Sequence, residues 1–145
     1  MQISDKGLAL TKSFEGLRLR AYQDSAGVWT IGYGHTGPDV HECQVITEPQ
    51  AEALLRSDMA ATEQYVSEAV TVPLNQNQFD ALCDFVFNVG IGNFHHSSLL
   101  ITLNKGEYDA VPAEIMQWVR AGGKIIDGLI RRRQAEATLF KEPHN

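Results

Sequence analysis

The chain has 145 residues, 43% of them hydrophobic and 21% charged, and a net charge of −6. The length fits one compact domain, or two small lobes sharing a core, and the composition excludes disorder over most of the chain. The acidic balance argues against a general nucleic-acid binder, which carries a basic footprint. The charge is also uneven. Residues 1–24 hold four bases and three acids, residues 25–117 two bases and twelve acids, and residues 118–145 six bases and three acids. An acidic middle and a basic end predict a polarised surface. Two cysteines, Cys43 and Cys83, make no disulfide framework and suit a reducing cytosol; a bridge between them stays open. The opening "MQISDKGLALTKSFEG" has no uninterrupted apolar run, so neither a signal peptide nor a membrane anchor is expected.

A first helix is expected over residues 4–15, capped by Ser4 and ended by Gly16. "LRLRAY" at 17–22 then changes to period two, with Leu17, Leu19 and Ala21 on one face. "QDSAG" is turn chemistry and "VWTIGYG" is rich in β-branched and aromatic residues, which predicts a hairpin. Residues 34–46 read as a loop with room for one more short strand. Thr47 and Gln50 form a capping box that opens a long helix, with Pro49 tolerated in its first turn. Ala51, Leu54, Leu55, Met59, Thr62, Tyr65, Val66 and Ala69 mark its buried face. The opposite row, Glu48, Glu52, Asp58, Glu63 and Glu68, reads as a solvated face.

Asn75 and Gln78 form a second capping box, before a helix carrying Phe79, Leu82, Cys83, Val86 and Val89 that should be central and most buried. Shorter helices are expected at 97–104 and 108–119, the latter with Pro112 near its start. "RAGGK" should break the chain, and 128–140 reads as a terminal helix. A helix, a small hairpin and then helices alone define an α+β fold with a tiny sheet. A long helix would join a small N-terminal lobe to a larger helical C-terminal lobe, and a cleft between lobes is a favoured ligand site.

Four groups of residues bear chemistry. Gly32, Gly34 and Gly37 match the dinucleotide fingerprint, but that loop must open a helix, and here Pro38-Asp39 follow. The plainer reading is tight backbone geometry. His35, His41, His95, His96, His144 and Cys43 are the stock for a zinc site, yet no pair has the spacing of a His-Glu-x-x-His helix. A structural role for His35 beneath the hairpin is the stronger expectation. Arg131, Arg132 and Arg133 read as a partly exposed helix face that would also serve an anionic polymer.

The fourth group is a pair of carboxylates. Glycoside hydrolysis needs a proton donor at the leaving oxygen and an ionised carboxylate for water or for attack. Glu15 stands at the carboxyl end of its helix, where the dipole disfavours negative charge, beside Phe14, Leu17 and Leu19. Asp24 lies in a polar turn, and Thr30 returns toward that turn on the next strand, where its hydroxyl can hold a water against Asp24. On spacing alone, a helix-terminal Glu and a turn-capping Asp explain the residues as well.

The pattern Glu15, "GLRLRAYQ", Asp24, "SAGVW", Thr30 resembles the phage-type lysozymes, or endolysins, of glycoside hydrolase family 24. The resemblance continues through "TIGYGHTG", "VPLNQNQFDALCDFVFNVGIGNF" at 72–94, "SSLLITLNKGEY" at 97–108 and "WVRAGGKIIDGLIRRRQAEATLF" at 118–140. It implies one lysozyme domain over 1–145, with a small lobe at about 14–46 and a helical lobe at about 70–145 plus the N-terminal helix. The glycan would be threaded between them. It implies hydrolysis of the β-1,4 bond between N-acetylmuramic acid and N-acetylglucosamine in bacterial peptidoglycan, with inversion, for host lysis. Glu15 would be the acid, and Asp24 and Thr30 would position the water. Phe87 and Ser97 match cleft-wall positions, against plainer roles in core packing and helix capping. Arg131 to Arg133 would help hold the anionic wall. No metal and no organic cofactor is implied. A monomer is expected, held in the host cytoplasm until a separate holin releases it to the periplasm, with no nucleic-acid partner and no stable membrane insertion. Three rivals share part of this pattern: a lytic transglycosylase, which would leave anhydro ends; a silent glycan binder; and a zinc amidase, which chelators would stop.

Overall fold

The computed structural model describes residues 1–144. Helix α1 spans Asp5–Glu15. The Ser4 hydroxyl accepts from the Gly7 amide at 3.2 Å, and Gly16, at φ +73, ends the helix as expected. A three-stranded antiparallel sheet follows, made of β1 (Arg18–Gln23), β2 (Trp29–Gly32) and β3 (His35–Thr36) in that order. The expected hairpin is therefore present, and the extra short strand is β3. The β1–β2 register is irregular between Arg18 and Tyr22. That register shift breaks the period-two reading, and Leu19, assigned to the apolar face with Ala21, is exposed.

Helix α2 covers Glu48–Ala69, and its Thr47–Gln50 capping box forms as read. Every residue of its expected apolar face is buried or half-buried. The acidic row is not simply solvated. Glu52 pairs with Lys12, Asp58 bonds His35, and Glu63 accepts from the Ile3 amide at 2.8 Å.

Helix α3 (Gln76–Val89) has the Asn75–Gln78 box and an unbroken buried run from Phe79 to Val86. Then come α4 (Ile91–His95), α5 (Ser98–Asn104), a 3-10 turn (Tyr108–Ala110) and α6 (Val111–Ile115). The helix expected over 108–119 is thus shorter and split, with Pro112 in the first turn of α6. The "RAGGK" break is itself structured: β4 (Arg120–Ala121) and β5 (Lys124–Ile125) pair around two glycines, so strands do recur after the first hairpin. Helix α7 (Asp127–Lys141) closes the chain.

Two compact units result, Ala9–Ala61 and Met1–Leu8 together with the chain from Thr62 onward. The first, the hairpin unit, packs Ala21, Ile31 and Val40 against Trp29, Ile46 and Leu54. In the second, the helical unit, α3 packs mainly on α7, and Phe85 meets Phe94 and Trp118 edge-on at 6.3 and 5.8 Å. Both thiols are free. Cys83 is buried and Cys43 is exposed, which removes the bridge left open above. No helix among the described residues is long and apolar enough to cross a membrane.

Candidate active site

All three catalytic candidates lie in the hairpin unit. Glu15 is the last residue of α1 and is half-buried. The bend at Gly16 returns the chain so that Gly34, between β2 and β3, lies against its carboxyl. A Cβ on Gly34 would stand 3.0 Å from Glu15 Oε1, and Gly34 sits at φ +84. Glycine is required there twice, by backbone conformation and by the carboxyl.

Asp24 opens the β1–β2 turn and is exposed. Its Oδ1 accepts the amides of Ala26 and Val28 at 2.8 and 2.9 Å. Its own amide donates to the Val28 carbonyl at 2.9 Å. The turn-capping role is therefore real, and it fixes the carboxylate. Both side-chain bonds fall on Oδ1, which leaves Oδ2 as the oxygen that can take a proton. Thr30 is 4% exposed, on β2, and its hydroxyl donates to the same Val28 carbonyl at 3.0 Å. With its hydrogen committed, the Thr30 oxygen has only its lone pairs left, as an acceptor. Asp24 and Thr30 are thus both fastened to Val28, Asp24 through its amide and carbonyl and Thr30 through the same carbonyl.

His35 clamps the sheet. Its Nδ1 reaches Asp58 on α2 at 2.8 Å, and its Nε2 reaches Asp39 at 2.9 Å. Burial alone would lower the imidazole pKa. The hydrogen bonds and charges of Asp58 and Asp39 outweigh it and hold the value above the usual range. Asp39 is held below the usual carboxylate range by the same contact. With both ring nitrogens on carboxylates, His35 is structural, as expected, and is not poised to ligate zinc. Among the described residues no metal-binding group of three or more His, Cys, Asp or Glu forms.

Gly32, Gly34 and Gly37 all have positive φ, which supports the backbone reading of the fingerprint. No helix follows Gly37, so the dinucleotide loop is absent. Phe87, on α3, is half-buried. Ser97 is the N-cap of α5: its hydroxyl accepts from the Leu100 amide at 3.2 Å and donates to the Phe94 carbonyl at 2.6 Å.

The arginine run is corrected. Arg132 and Arg133 are buried, and only Arg131 is exposed. Arg132 forks onto Asp84 at 2.9 and 3.0 Å; Arg133 meets Glu136 at 2.6 Å, Asn88 at 2.8 Å and the Phe85 ring at 4.9 Å. Burial pushes the Glu136 carboxyl well up, and its contact with Asp84 adds to that. The Arg132–Asp84 ion pair and the Arg133–Asn88 hydrogen bond tie α7 to α3, while Arg133 and Glu136 pair within α7, so neither buried arginine offers a surface for a polymer.

Two side chains at the site escaped the sequence reading. Asp39 was legible as an i, i+4 partner of His35. Asp58, 23 residues away, was hidden in the acidic row of α2.

A small antiparallel sheet followed by a predominantly helical remainder is an α+β fold, and its likeness to solved lysozymes, among them a P22 lysozyme mutant with a TM-score of 0.91 at 43% identity over 98% of this chain and 99% of that one, makes it lysozyme-like. The model of the phage lysozyme family matches residues 12–136. An endolysin of Acyrthosiphon pisum secondary endosymbiont phage 1 is 51% identical, over 97% of this chain and 99% of its own. The endolysin of Bacillus phage B103 is 47% identical over 97% of this chain, which spans 54% of that longer protein. The muramidase domain of SpmX from Asticaccaulis excentricus superposes with a TM-score of 0.92 at 42% identity, over 98% of this chain and 99% of that one. The chain belongs to the phage lysozyme family. It is a lysozyme, a glycosidase that cleaves bacterial peptidoglycan in host lysis.

Proposed function

We propose that this lysozyme hydrolyses the β-1,4 bond between N-acetylmuramic acid and N-acetylglucosamine with inversion at the sugar carbon. Glu15 gives its proton to the leaving glycosidic oxygen. A water held between Asp24 and Thr30 attacks the anomeric carbon from the opposite face and loses its proton to Asp24. One C–O bond forms as the other breaks, and the two carboxyl groups exchange protonation states. The observation that carries this reading is the common attachment to Val28. Asp24 holds its amide and Thr30 its carbonyl, so a carboxylate and a hydroxyl acceptor are fixed on one rigid turn. Pre-positioning of this kind supplies much of a hydrolase's rate.

The reading extends to Phe87 and Ser97 as glycan contacts. Phe87 offers a half-exposed ring to a sugar face; Ser97 offers less, since its hydroxyl already serves a cap. It extends also to delivery: a monomer held in the host cytoplasm until a separate holin opens the way to the periplasmic wall.

The test is digestion of purified Gram-negative peptidoglycan by wild type and Glu15→Gln, with mass analysis of the fragments. Reducing ends from wild type, and a loss of about 10²–10⁴-fold in the variant, are expected. Anhydro ends would move the assignment to a transglycosylase. Full activity of the variant would remove Glu15 from the chemistry. The anomeric configuration of the first product, read by NMR, tests inversion.

A further inference from the structure

The β4–β5 hairpin is built, exposed and unexplained by folding. Its two-residue turn is Gly122-Gly123, at φ 59 and 79, the conformation that matches the twist of a tight hairpin. Its root is fixed, since the Ile126 amide donates to Val119 at 2.9 Å and Trp118 packs edge-on against Phe85. Residues 120–127 are all exposed, Ile125 by 53% and Ile126 by 40%. A two-stranded ribbon without an apolar face gains little stability of its own.

Its charges are also unpaired. Among the described residues Arg120, Lys124 and the exposed Arg131 on α7 have no carboxylate within ion-pair distance, nor do Arg18, Arg20, Lys105 and Lys141, whereas Lys6, Lys12, Arg56, Arg132 and Arg133 all have one. What sets the hairpin apart is that two of these cations share one exposed ribbon with two exposed isoleucines. The register sets Arg120 opposite Ile125 and Lys124 opposite Ala121, so one face pairs a cation with an exposed apolar side chain and the other carries the second cation. The rest of the molecule is strongly acidic: residues 25–117 hold twelve acids and two bases.

We infer that the β4–β5 hairpin, through Arg120 and Lys124, binds the carboxylates of peptidoglycan stem peptides. The inference rests on peptidoglycan being the substrate. That polymer offers repeated carboxylates interleaved with methyl groups, which suits cations beside exposed isoleucines. An enzyme of net charge −6 approaching such a polymer needs a local site of opposite sign, and the hairpin supplies it. An anionic bilayer fits less well, because two isoleucines on so short a ribbon give little apolar area to insert.

The test is cosedimentation of the full chain, in a Glu15→Gln background, with purified Gram-negative sacculi. Arg120→Glu/Lys124→Glu is compared with Lys105→Glu/Lys141→Glu, which makes the same charge change on exposed residues elsewhere. The hairpin variant should bind about tenfold more weakly, which is the size of a well-placed charge contact, and the control should bind as the parent does. In the active background the same variant should show a raised KM. On sacculi whose carboxylates have been amidated with carbodiimide and ammonia, parent and hairpin variant should bind alike. Equal binding by hairpin variant and control would overturn the inference, and so would a defect that persists on amidated sacculi. Loss of binding to phosphatidylglycerol vesicles, with sacculus binding intact, would also overturn it and assign the surface to membranes. Release of no glycan fragments by the active parent would instead remove the underlying functional reading, independently of the binding result.

Discussion

At the scale of single residues, the site depends on what glycine permits. Gly34 brings backbone to the Glu15 carboxyl in a conformation that costs other residues about 1–2 kcal/mol. Gly34→Ala adds a methyl group 3.0 Å from Glu15 Oε1. The variant should lose that much stability in a urea melt. Its kcat should fall by about 10²-fold with KM little changed, because a displaced acid harms the transition state more than binding. The pattern Glu15, Asp24, Thr30 was legible because spacing and residue type both survive in a linear string. The role of Val28 was not legible. Its side chain has no part in the site, and only the folded turn shows that its amide and carbonyl hold the two catalytic candidates.

At the scale of elements, two ion-pair devices lock neighbours together, and both were misjudged from sequence for the same reason. Charged residues were read by local pattern, while their partners are remote in the chain. Three consecutive arginines resemble a surface patch until α3 supplies Asp84 and Asn88. An acidic row on α2 resembles a solvated face until Lys12 and His35 meet it. Buried charges survive only when paired, so the depth of Arg132 and Arg133 already implies their acids. The starts of α2 and α3 were read correctly, since their capping boxes are local chemistry, whereas α4 was not foreseen and α6 begins later than expected. The β4–β5 hairpin was missed because an exposed ribbon has no apolar alternation to announce it.

The His35 clamp makes stability depend on pH in a defined way. The raised His35 pKa stabilises the fold fully below its ordinary 6.5, and the contribution is lost as pH rises through the folded value. The lowered Asp39 pKa contributes above its ordinary 3.8 and is lost as pH falls through the folded value. Wild type should therefore exceed His35→Asn in Tm most clearly at about pH 5–6, with the gap closing toward pH 9 and toward pH 2. Scanning calorimetry of the pair across that range checks the shape. A gap that widens toward pH 9 would reject the clamp.

At the scale of the whole molecule, the chain is held without covalent cross-links, in two units that each have a core. The buried hydrophobic side chains of the hairpin unit are all non-aromatic, among them Ile31, Leu55 and Met59. The helical unit buries the aromatics Phe79, Phe85, Phe94 and Phe140 together with the paired charges Asp84 and Arg132. Cys83 lies in that packing, and burial pushes its thiol far above its usual range, while Cys43 is exposed. A colourless thiol reagent of the disulfide type should therefore label one cysteine in the native protein and two after denaturation, as counted by intact mass. Dithiothreitol should leave both Tm and lytic activity unchanged. The α+β class was legible from helical apolar spacing on both sides of a segment with turn chemistry and β-branched and aromatic residues, even though strict period two fails at Leu19.

The first turn of α1 has a remote anchor. Its Ser4 amide and hydroxyl are held by Asp80, which also accepts from Gln76, and the Ile3 amide is held by Glu63. Asp80 fills the space beside Gly7 so closely that a Cβ there would stand 2.6 Å from its carboxyl carbon. The opening residues of the chain therefore wait for partners made 60 and 76 residues later. During synthesis the first turn of α1 stays unanchored until α3 has emerged, and α3 lacks its main packing partner until α7 follows. Contacts so distant in sequence are slow to form, because the loop between the partners must close before they can reward it.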